Sequence, residues 1–183
     1  MKVAAYKTRT RCFGKSIKFV LWLQGCPRSC PGCMAPEWQQ MDGGQERSVE
    51  SIQSMVSEAQ VEGIVISGGD PLLQYEELCE LLDCLKRNGF GIIVYTGFTE
   101  DDVKSKFPAI LTLADILIPG PYVEGHNDGR GLRGSANQPV IFLSGKYLDE
   151  KDFFNSGERI IEIEVENEFM AICGIPPTGM VDI

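Results

Sequence analysis

The sequence predicts an α/β fold built on a parallel sheet, and two observations support this prediction. Short apolar segments rich in β-branched residues recur at residues 18–24, 63–67 and 91–96, and glycine bounds each of them, as is typical of buried strands. Between the last two, residues 75–87 carry leucines at the spacing of an amphipathic helix. Strands that alternate with helices form parallel sheets with right-handed crossovers.

The remaining elements of the sheet follow from capping and composition signals. Ser48 can cap a helix over the residues that follow it, and Thr99 with Asp102 has the form of a capping box for another short helix. Residues 115–118 and 139–143 are apolar and are the fourth and fifth predicted strands. Because ligands bind at the carboxyl ends of parallel strands, we expect the loops after these strands to share one face.

The C-terminal part of the chain has a different pattern. From Ile161 to Val165, apolar residues alternate with glutamates, which predicts a half-buried strand with one face in water. Residues 167–168 can turn the chain into a second strand over residues 169–173. We therefore expect a short C-terminal β extension, a hairpin over about residues 158–176.

Length and charge narrow the class of protein. With 183 residues the chain is long enough for one domain with a substantial core, and its net charge of -9 argues against nucleic-acid binding, which needs a basic surface. The longest apolar run, residues 19–23, is too short to cross a bilayer and lacks a signal-peptide cleavage site. We expect a cytoplasmic protein that binds neither nucleic acid nor membrane.

Charged residues and cysteines are unevenly distributed. Residues 1–36 contain seven Lys or Arg and no acid, whereas residues 149–183 contain nine Asp or Glu. The basic segment is either a solvated face or a rim around an anionic cofactor. The chain has seven Cys, an odd number that does not suggest a disulfide framework, and three of them fall within eight residues. Such crowding indicates metal binding.

The strongest motif lies directly after the first predicted strand. Cys26, Cys30 and Cys33 are spaced C-x3-C-x2-C on a loop rich in Gly and Pro. Thiolates select iron–sulfur clusters or zinc, and three of them leave one iron of a four-iron cluster open, which is what a catalytic metal needs. The alternative is a zinc knuckle, for which Cys12 or His126 is available as a fourth ligand.

This loop resembles the signature of the radical S-adenosylmethionine (SAM) enzymes. The resemblance implies a [4Fe-4S] cluster on Cys26, Cys30 and Cys33, with SAM as a second cofactor. In that family the open iron takes the amino and carboxylate groups of SAM. One electron from the reduced cluster then breaks a sulfur–carbon bond, and the resulting 5′-deoxyadenosyl radical abstracts a hydrogen atom from the substrate.

A second motif follows the second predicted strand. Gly68 and Gly69 let the backbone approach a ligand closely, and Asp70 beside them can pair with an ammonium group, although a plain strand-to-helix turn needs no ligand. The segment resembles the Gly-Gly-Glu motif that holds the SAM amino group in the radical SAM family. Asp in place of Glu is similar to the branch that activates anaerobic ribonucleotide reductase.

The resemblance to this branch assigns further residues to the cofactor site. Thr96 lies in a Tyr-Thr-Gly segment after the third predicted strand, and Trp38 follows the cysteine loop, where it is either a lid over cluster or SAM or a packing residue. Arg133, Ser135 and Asn137 offer a guanidinium, a hydroxyl and an amide on a Gly-rich segment. Such groups bind carboxylate, ribose or a partner backbone, or they stabilise a structural loop.

The resemblance also implies a fold and a domain organisation. We expect an open, partial (β/α) barrel, smaller than the eight-unit version. The whole chain, residues 1–183, then forms a single radical SAM domain with a core over about residues 12–144.

The implied activity is hydrogen abstraction that generates a glycyl radical on a partner enzyme, with flavodoxin or ferredoxin as electron donor. Two alternatives remain: radical SAM modification of another peptide or a small molecule, and a non-enzymatic iron–sulfur module. The glycine-rich residues 120–137, together with Arg133, are expected to form a flexible loop that becomes ordered on a partner protein.

Overall fold

One mixed sheet of seven strands and a separate two-stranded hairpin make up the β-structure of the computed structural model, which describes residues 1–166 and 169–176. The strands are β1 (Lys2–Thr10), β2 (Lys18–Leu23), β3 (Gln45–Glu46), β4 (Gly63–Gly68), β5 (Gly91–Thr96), β6 (Ile116–Pro119), β7 (Ile141–Phe142), β8 (Ile161–Glu166) and β9 (Phe169–Gly174). The α-helices are α1 (Val49–Glu58), α2 (Tyr75–Arg87), α3 (Glu100–Lys106), α4 (Ile110–Leu113) and α5 (Lys151–Ser156). Short 3-10 helices are Pro36–Gln39, Pro71–Gln74, Glu124–His126 and Leu148–Glu150.

The four central strands of the sheet are parallel. The strand order is β3-β1-β2-β4-β5-β6-β7, in which β2, β4, β5 and β6 run parallel and the outer strands β1, β3 and β7 pair antiparallel. The register pairs Leu23 with Gly68 and Thr96 with Pro119, so the carboxyl ends of the central strands are level. The predicted α/β class is confirmed, whereas the sheet is mixed rather than parallel throughout.

Both faces of the central strands are buried. Alternate residues point to opposite sides of a strand, and on β4 the side chains of Ile64 and Ile66 join the cluster beneath helices α1 and α2, whereas Val65 joins a second cluster with Phe154. Burial on both sides explains why these strands are continuously apolar rather than alternating. Each fully buried Ile or Val contributes about 1.5–3 kcal/mol to the free energy of unfolding.

Helices α1, α2 and α3 form where the sequence predicts them. In α2 the four inward leucines are buried, and Asn88 follows the helix as its C-cap. At the start of α3, Thr99 and Asp102 form the reciprocal capping box that their spacing predicts. Hydrogen bonds from Lys106 and from Thr99 lower the pKa of Asp102 to about 2.

Several elements differ from the sequence prediction, among them β3 and α4, which were not predicted. Strand β1 was not predicted, because Lys2–Thr10 mixes charged and apolar residues without alternation and owes its conformation to pairing with β2. Helix α5 was also not predicted, since only Phe154 among its six residues is buried. The predicted strand at residues 139–143 is reduced to Ile141–Phe142, which pairs antiparallel at the sheet edge.

The glutamates of β8 lie on the side of the hairpin that faces β1, although Glu164 remains 63% exposed. Glu162 and Glu164 pair with Lys7 on β1, whereas Ile163 and Val165 are 48% and 70% exposed. Alternation therefore predicts the strand correctly but not which of its faces meets water. The predicted turn at residues 167–168 lies outside the described residues.

The basic N-terminal segment and the acidic C-terminal segment contact each other. Besides the pairs of Lys7, the side chain of Lys15 lies 3.8 Å from Asp149, and the Lys15 backbone N–H donates to Glu150. The uneven distribution of charge along the sequence therefore provides ion pairs and hydrogen bonds between the two ends of the chain. Within the described ranges, no helix is both long and apolar enough to cross a membrane.

Candidate functional site

A cavity of about 240 Å³ opens at the carboxyl ends of the parallel strands. Its wall includes Cys26 after β2, Asp70 after β4, Thr96 at the end of β5 and Gly120 after β6. The expectation that these loops share one face is confirmed. The end of β9 adds Ile172 to the same wall, so the C-terminal hairpin belongs to the site although nothing in its sequence indicated this.

The three cysteines of the C-x3-C-x2-C loop all line this cavity. Cys26, Cys30 and Cys33 are half-buried free thiols. Backbone hydrogen bonds fix the loop at its first residues, since the N–H of Gly25 donates to the carbonyl of Trp38 at 2.8 Å and the N–H of Cys26 donates to Gln39 at 3.0 Å. Burial raises the pKa of the Cys26 thiol. The loop is therefore held in place by backbone contacts and presents its sulfur atoms to the cavity.

The donor set fits an iron–sulfur cluster better than a single zinc ion. In a four-iron cluster each thiolate binds a different iron, so three thiolates suffice and leave one iron open, whereas a structural zinc ion needs a fourth ligand. Neither alternative zinc ligand faces the cavity: Cys12 is buried with its sulfur against the carbonyl of Cys173, and His126 ends a 3-10 helix.

Gly68 and Gly69 bring the second motif against the cysteine loop. A Cβ at Gly68, where φ is +115°, would lie 2.3 Å from the backbone N of Leu23, and one at Gly69 would lie 2.2 Å from the carbonyl oxygen of Gly25. The N–H of Asp70 donates to that same carbonyl at 2.8 Å. The close approach that the sequence predicted for a ligand is made here by the cysteine loop itself.

Asp70 connects the loops that follow β4 and β5. Its Oδ1 accepts hydrogen bonds from Thr96 Oγ1 at 2.8 Å and from the backbone of Leu72 at 3.2 Å, and its Oδ2 accepts from the backbone of Gly97 at 3.1 Å. The residue is 0% exposed. Burial raises the pKa of Asp70 even though these hydrogen bonds favour the carboxylate.

Arg28, between the first two cysteines of the motif, was not singled out from the sequence. Its Nε lies 3.5 Å from Asp70 Oδ2, and its guanidinium stands 4.5 Å from the ring centre of Phe98. The contact with Asp70 lacks the geometry of a hydrogen bond, so it is an ion pair at the edge of the cavity. A cation placed between cluster cysteines was the available signal in the sequence.

Aromatic rings form much of the remaining wall. Trp22 and Trp38 contact each other with ring centres 5.4 Å apart, and both line the cavity. Trp22 also packs against the core cluster that contains Val65 and Phe154. Opposite them, Tyr95 packs edge-on against Phe13 and donates its hydroxyl to the carbonyl of Leu132 at 2.8 Å.

The structure places Arg133, Ser135 and Asn137 in contacts within their own segment. The guanidinium of Arg133 pairs with Asp128 at 2.9 Å, the buried Ser135 hydroxyl accepts from the backbone of Val123, and the Asn137 amide donates to a backbone carbonyl. Their side chains lie outside the cavity wall. The residues of this segment that do line the cavity are Gly134 and Gln138.

The glycine-rich loop is hydrogen-bonded to the segment that precedes β8. Arg159, whose side chain is 5% exposed, donates to the carbonyls of Gly131, Arg130 and Arg133 and to the side chain of Asn127. The expectation that residues 120–137 form a flexible loop stays a prediction.

Comparisons with known proteins agree with the motifs. The family model described as a 4Fe-4S single cluster domain matches residues 12–141. The anaerobic ribonucleoside-triphosphate reductase-activating protein of Salmonella typhi is 28% identical over 141 residues, covering 71% of this chain and 91% of that protein. The pyruvate formate-lyase-activating enzyme of Listeria monocytogenes is 25% identical over 161 residues, covering 82% of this chain and 64% of that enzyme.

Among solved structures, QueE from Escherichia coli matches with a TM-score of 0.44 and 20% identity, covering 54% of this chain and 52% of that one. The resemblance to radical SAM activating enzymes that the motifs predict is confirmed by the sequence relatives, as are the cofactors that it implies. This chain belongs to the family of 4Fe-4S single cluster domains and is a radical SAM enzyme.

Proposed function

We propose that the protein holds its [4Fe-4S] cluster through Cys26, Cys30 and Cys33 and generates a glycyl radical on a partner enzyme. One observation carries this proposal: the three cysteines lie in the same cavity wall as Gly69 and Asp70, at the carboxyl ends of parallel strands. When bound, the cluster supplies the electron that cleaves SAM into methionine and a 5′-deoxyadenosyl radical.

In this proposal Asp70 receives the ammonium group of SAM on Oδ2. A carboxylate has about four acceptor positions, and hydrogen bonds from Thr96, Leu72 and Gly97 occupy three of them, two on Oδ1 and one on Oδ2. The fourth position, on Oδ2, faces Arg28. An ammonium group of SAM would pair with Asp70 there, and Arg28 beside it would be available to the carboxylate of SAM.

The glycines and the neighbouring polar residues give this site its shape. Gly68 and Gly69 hold the end of β4 against the cysteine loop, and Thr96 orients the carboxylate of Asp70. Arg133, Ser135 and Asn137, the other residues that the resemblance assigns to cofactor binding, support the wall through the fold of their segment. The Ser135 backbone, for example, donates to the side chain of Gln138, which lines the cavity.

The aromatic wall protects radical chemistry from water. Trp22, Trp38 and Tyr95 line the cavity close to the cysteines, and Trp38 covers the side next to the loop. Exclusion of water prevents side reactions of a reactive intermediate. These residues leave open the side of the cavity that a substrate must enter.

We further propose that the sheet is an open, partial (β/α) barrel and that residues 1–183 form one domain, with its core over about residues 12–144 and the extension over about residues 158–176. Four parallel central strands support this, since a closed barrel of this type has eight. A sheet with four parallel central strands forms a short arc, which does not enclose a small molecule completely. A macromolecular substrate supplies the missing wall.

The names of the relatives suggest the class of partner. They are activating proteins of anaerobic ribonucleoside-triphosphate reductase and of pyruvate formate-lyase. We propose a partner of the first kind, because the alignment covers 91% of the reductase-activating protein but 64% of the other enzyme. Flavodoxin or ferredoxin is the proposed electron donor.

The decisive experiment combines two readouts under anaerobic conditions. Reconstituted protein is reduced with dithionite and incubated with SAM, with and without anaerobic ribonucleoside-triphosphate reductase from the same genome. We expect 5′-deoxyadenosine in both samples and an electron paramagnetic resonance signal of a glycyl radical only with the reductase. Turnover of a small metabolite without radical formation on the reductase would favour the alternative substrate class.

Asp70 is tested against Asp115, a second buried carboxylate. Asp115 also accepts a backbone hydrogen bond, from Ile92 at 2.9 Å, and one from Ser144 Oγ at 2.6 Å, but it lies outside the cavity wall. Both Asp→Ala substitutions should destabilise the fold. Only Asp70→Ala should weaken SAM binding, by about tenfold to a hundredfold for the loss of a charge-assisted hydrogen bond. Equal SAM affinity of the two variants would remove Asp70 from the site.

A further inference from the structure

The C-terminal hairpin exposes an apolar surface on the strand whose sequence first suggested a solvated face. Ile163 is 48% exposed and Val165 is 70% exposed, on the same side of β8 as Ile161. We call the side of the hairpin that carries these residues and Ile172 of β9 the hairpin face. A contiguous apolar surface, unlike a single exposed apolar side chain, is typical of a binding site.

The orientation of this face is fixed by contacts on the opposite side of the hairpin. There, Glu162 accepts a hydrogen bond from the backbone of Arg11 at 3.0 Å and pairs with Lys7 at 3.5 Å. Cys173, which is directly opposite Glu162 in the register, is 4% exposed and lies against Cys12. Turning the hairpin over would separate the glutamates of β8 from their partners and expose Cys173.

The hairpin face continues the wall of the cavity. Residues directly opposite each other in an antiparallel pair point to the same side, and the register pairs Ile163 with Ile172 and Ile161 with Gly174. Ile172 and Gly174 both line the cavity. From Ile161 the face extends along β8 as far as Val165, a distance of about 13 Å at about 3.3 Å per residue.

We propose that the hairpin face docks an extended, apolar and uncharged segment of the partner polypeptide beside the residue from which hydrogen is abstracted. This inference rests on the proposed function and identifies where its substrate binds. A small substrate would be contained in the cavity and would not reach Val165. A polypeptide that enters the cavity must pass over its rim, where Ile172 leads directly to Ile163.

The uncharged character of the segment follows from the distribution of charge on the hairpin. The carboxylates of Glu162 and Glu164 point to the other side and are paired with Lys7, so the face itself offers apolar side chains and backbone. Against the described residues of the face, Ile161, Ile163, Val165 and Ile172, a charged residue would lose its hydration without gaining an opposite charge. A second copy of this chain is the competing occupant.

The experiment compares a double variant, Ile163→Ser with Val165→Ser, with a matched control, Leu148→Ser. Leu148 is 54% exposed in the 3-10 helix Leu148–Glu150 and is not part of the cavity wall. Because the substituted side chains are exposed, both proteins should unfold at the temperature of the wild type. Glycyl radical formation is measured against increasing concentrations of anaerobic ribonucleoside-triphosphate reductase, and 5′-deoxyadenosine is measured without it.

We expect the double variant to need about tenfold more reductase for half-maximal activation, as for the loss of central interface contacts. The control should match the wild type, and 5′-deoxyadenosine formation without reductase should be the same in all three. Unchanged half-saturation in the double variant would overturn the docking inference alone. A wild-type dimer that the double substitution makes monomeric would assign the face to a second copy. Absence of both 5′-deoxyadenosine and radical in the wild type would overturn the proposed function and this inference together.

Discussion

The inner wall of the cavity, formed by the cysteine loop and by the residues that follow β4 and β5, borders the same space as the C-terminal hairpin. Different interactions hold the two in place. In the inner wall, polar groups bind one another at short range: Asp70 alone accepts three hydrogen bonds while 0% exposed. The hairpin is held by ion pairs to Lys7 and by the buried Cys173. The comparison predicts that the proposed cofactor wall resists local unfolding more than the proposed substrate wall, which is attached largely by ion pairs with exposed partners.

The largest effect that this comparison predicts is at the cysteines of the inner wall. Replacing Cys26, Cys30 or Cys33 by Ser should each abolish the cluster, which otherwise gives about four irons per chain, and should end SAM cleavage. The measurement is iron content and visible absorption after anaerobic reconstitution. Cys79→Ser and Cys84→Ser are controls, because these half-buried thiols lie in α2. Retention of a full cluster in any of the first three variants would contradict the assignment.

The second effect tests the tight packing of the inner wall at Gly68. Gly68 and Gly89 have φ values of +115° and +83°, but a Cβ at Gly68 would meet Leu23 at 2.3 Å, whereas one at Gly89 meets nothing within 4 Å. Both Gly→Ala variants carry backbone strain of about 1–2 kcal/mol. Gly68→Ala adds overpacking of roughly 1–3 kcal/mol. Urea unfolding of the apo-protein measures the free energy of unfolding of each variant. Equal losses in Gly68→Ala and Gly89→Ala would show that Leu23 and its neighbours move to accommodate the added methyl group.

The inner wall was more predictable from sequence than the hairpin, for a physical reason. Cysteine spacing, paired glycines and apolar strands are local signals, and the structure places Cys26, Gly69 and Asp70 together because their strands are parallel neighbours. The contribution of Arg28 to the wall depends on where its guanidinium lies relative to the loop after β4. Sequence spacing alone does not give that position.

The orientation of the hairpin could not be predicted from the sequence alone. Its alternation correctly predicted β8, but the side that meets water is decided by Lys7, more than 150 residues away in the chain. Strand β1, which carries Lys7, was itself missed because it lacks alternation. Tertiary contacts between the two ends of the chain therefore decide which hairpin residues reach the cavity.

The third effect tests the connection between the hairpin and the glycine-rich loop at residues 120–137. Arg159 lies two residues before the start of β8 and donates to several carbonyls of that loop. Arg159→Lys keeps the charge but loses the planar fork of donors, which should reduce the free energy of unfolding by about 1–3 kcal/mol and speed amide hydrogen exchange in the loop. Arg87→Lys, on an exposed pair in α2, is the control and should change neither. Unchanged loop exchange in Arg159→Lys would show that the loop orders without it.

The smallest effect is expected where the hairpin meets β1. Lys7→Met removes the partner of Glu162 and Glu164, and since Glu164 is 63% exposed, the loss should be at most about 1 kcal/mol. Although burial alone would raise it, the pKa of Glu162 is lowered by the hydrogen bond from Arg11 and by Lys7.

A carboxyl group whose pKa is lower in the folded protein than in the unfolded chain contributes stability above its unfolded value, about 4.3. That contribution is lost as the pH falls through the folded value, so the hairpin should loosen in acid before the inner wall does. Amide hydrogen exchange of β8 measured by mass spectrometry, with each rate divided by the intrinsic rate at that pH, gives the comparison.

Protection of β8 should fall below about pH 4 in the wild type and should already be reduced at neutral pH in Lys7→Met. High salt should narrow the difference between the two at neutral pH. Lys104→Met, which breaks an exposed pair with Glu100 on α3, should leave β8 unchanged. Equal protection in all three proteins at every pH would show that the buried side chains of the hairpin, and not its ion pairs, hold it against β1.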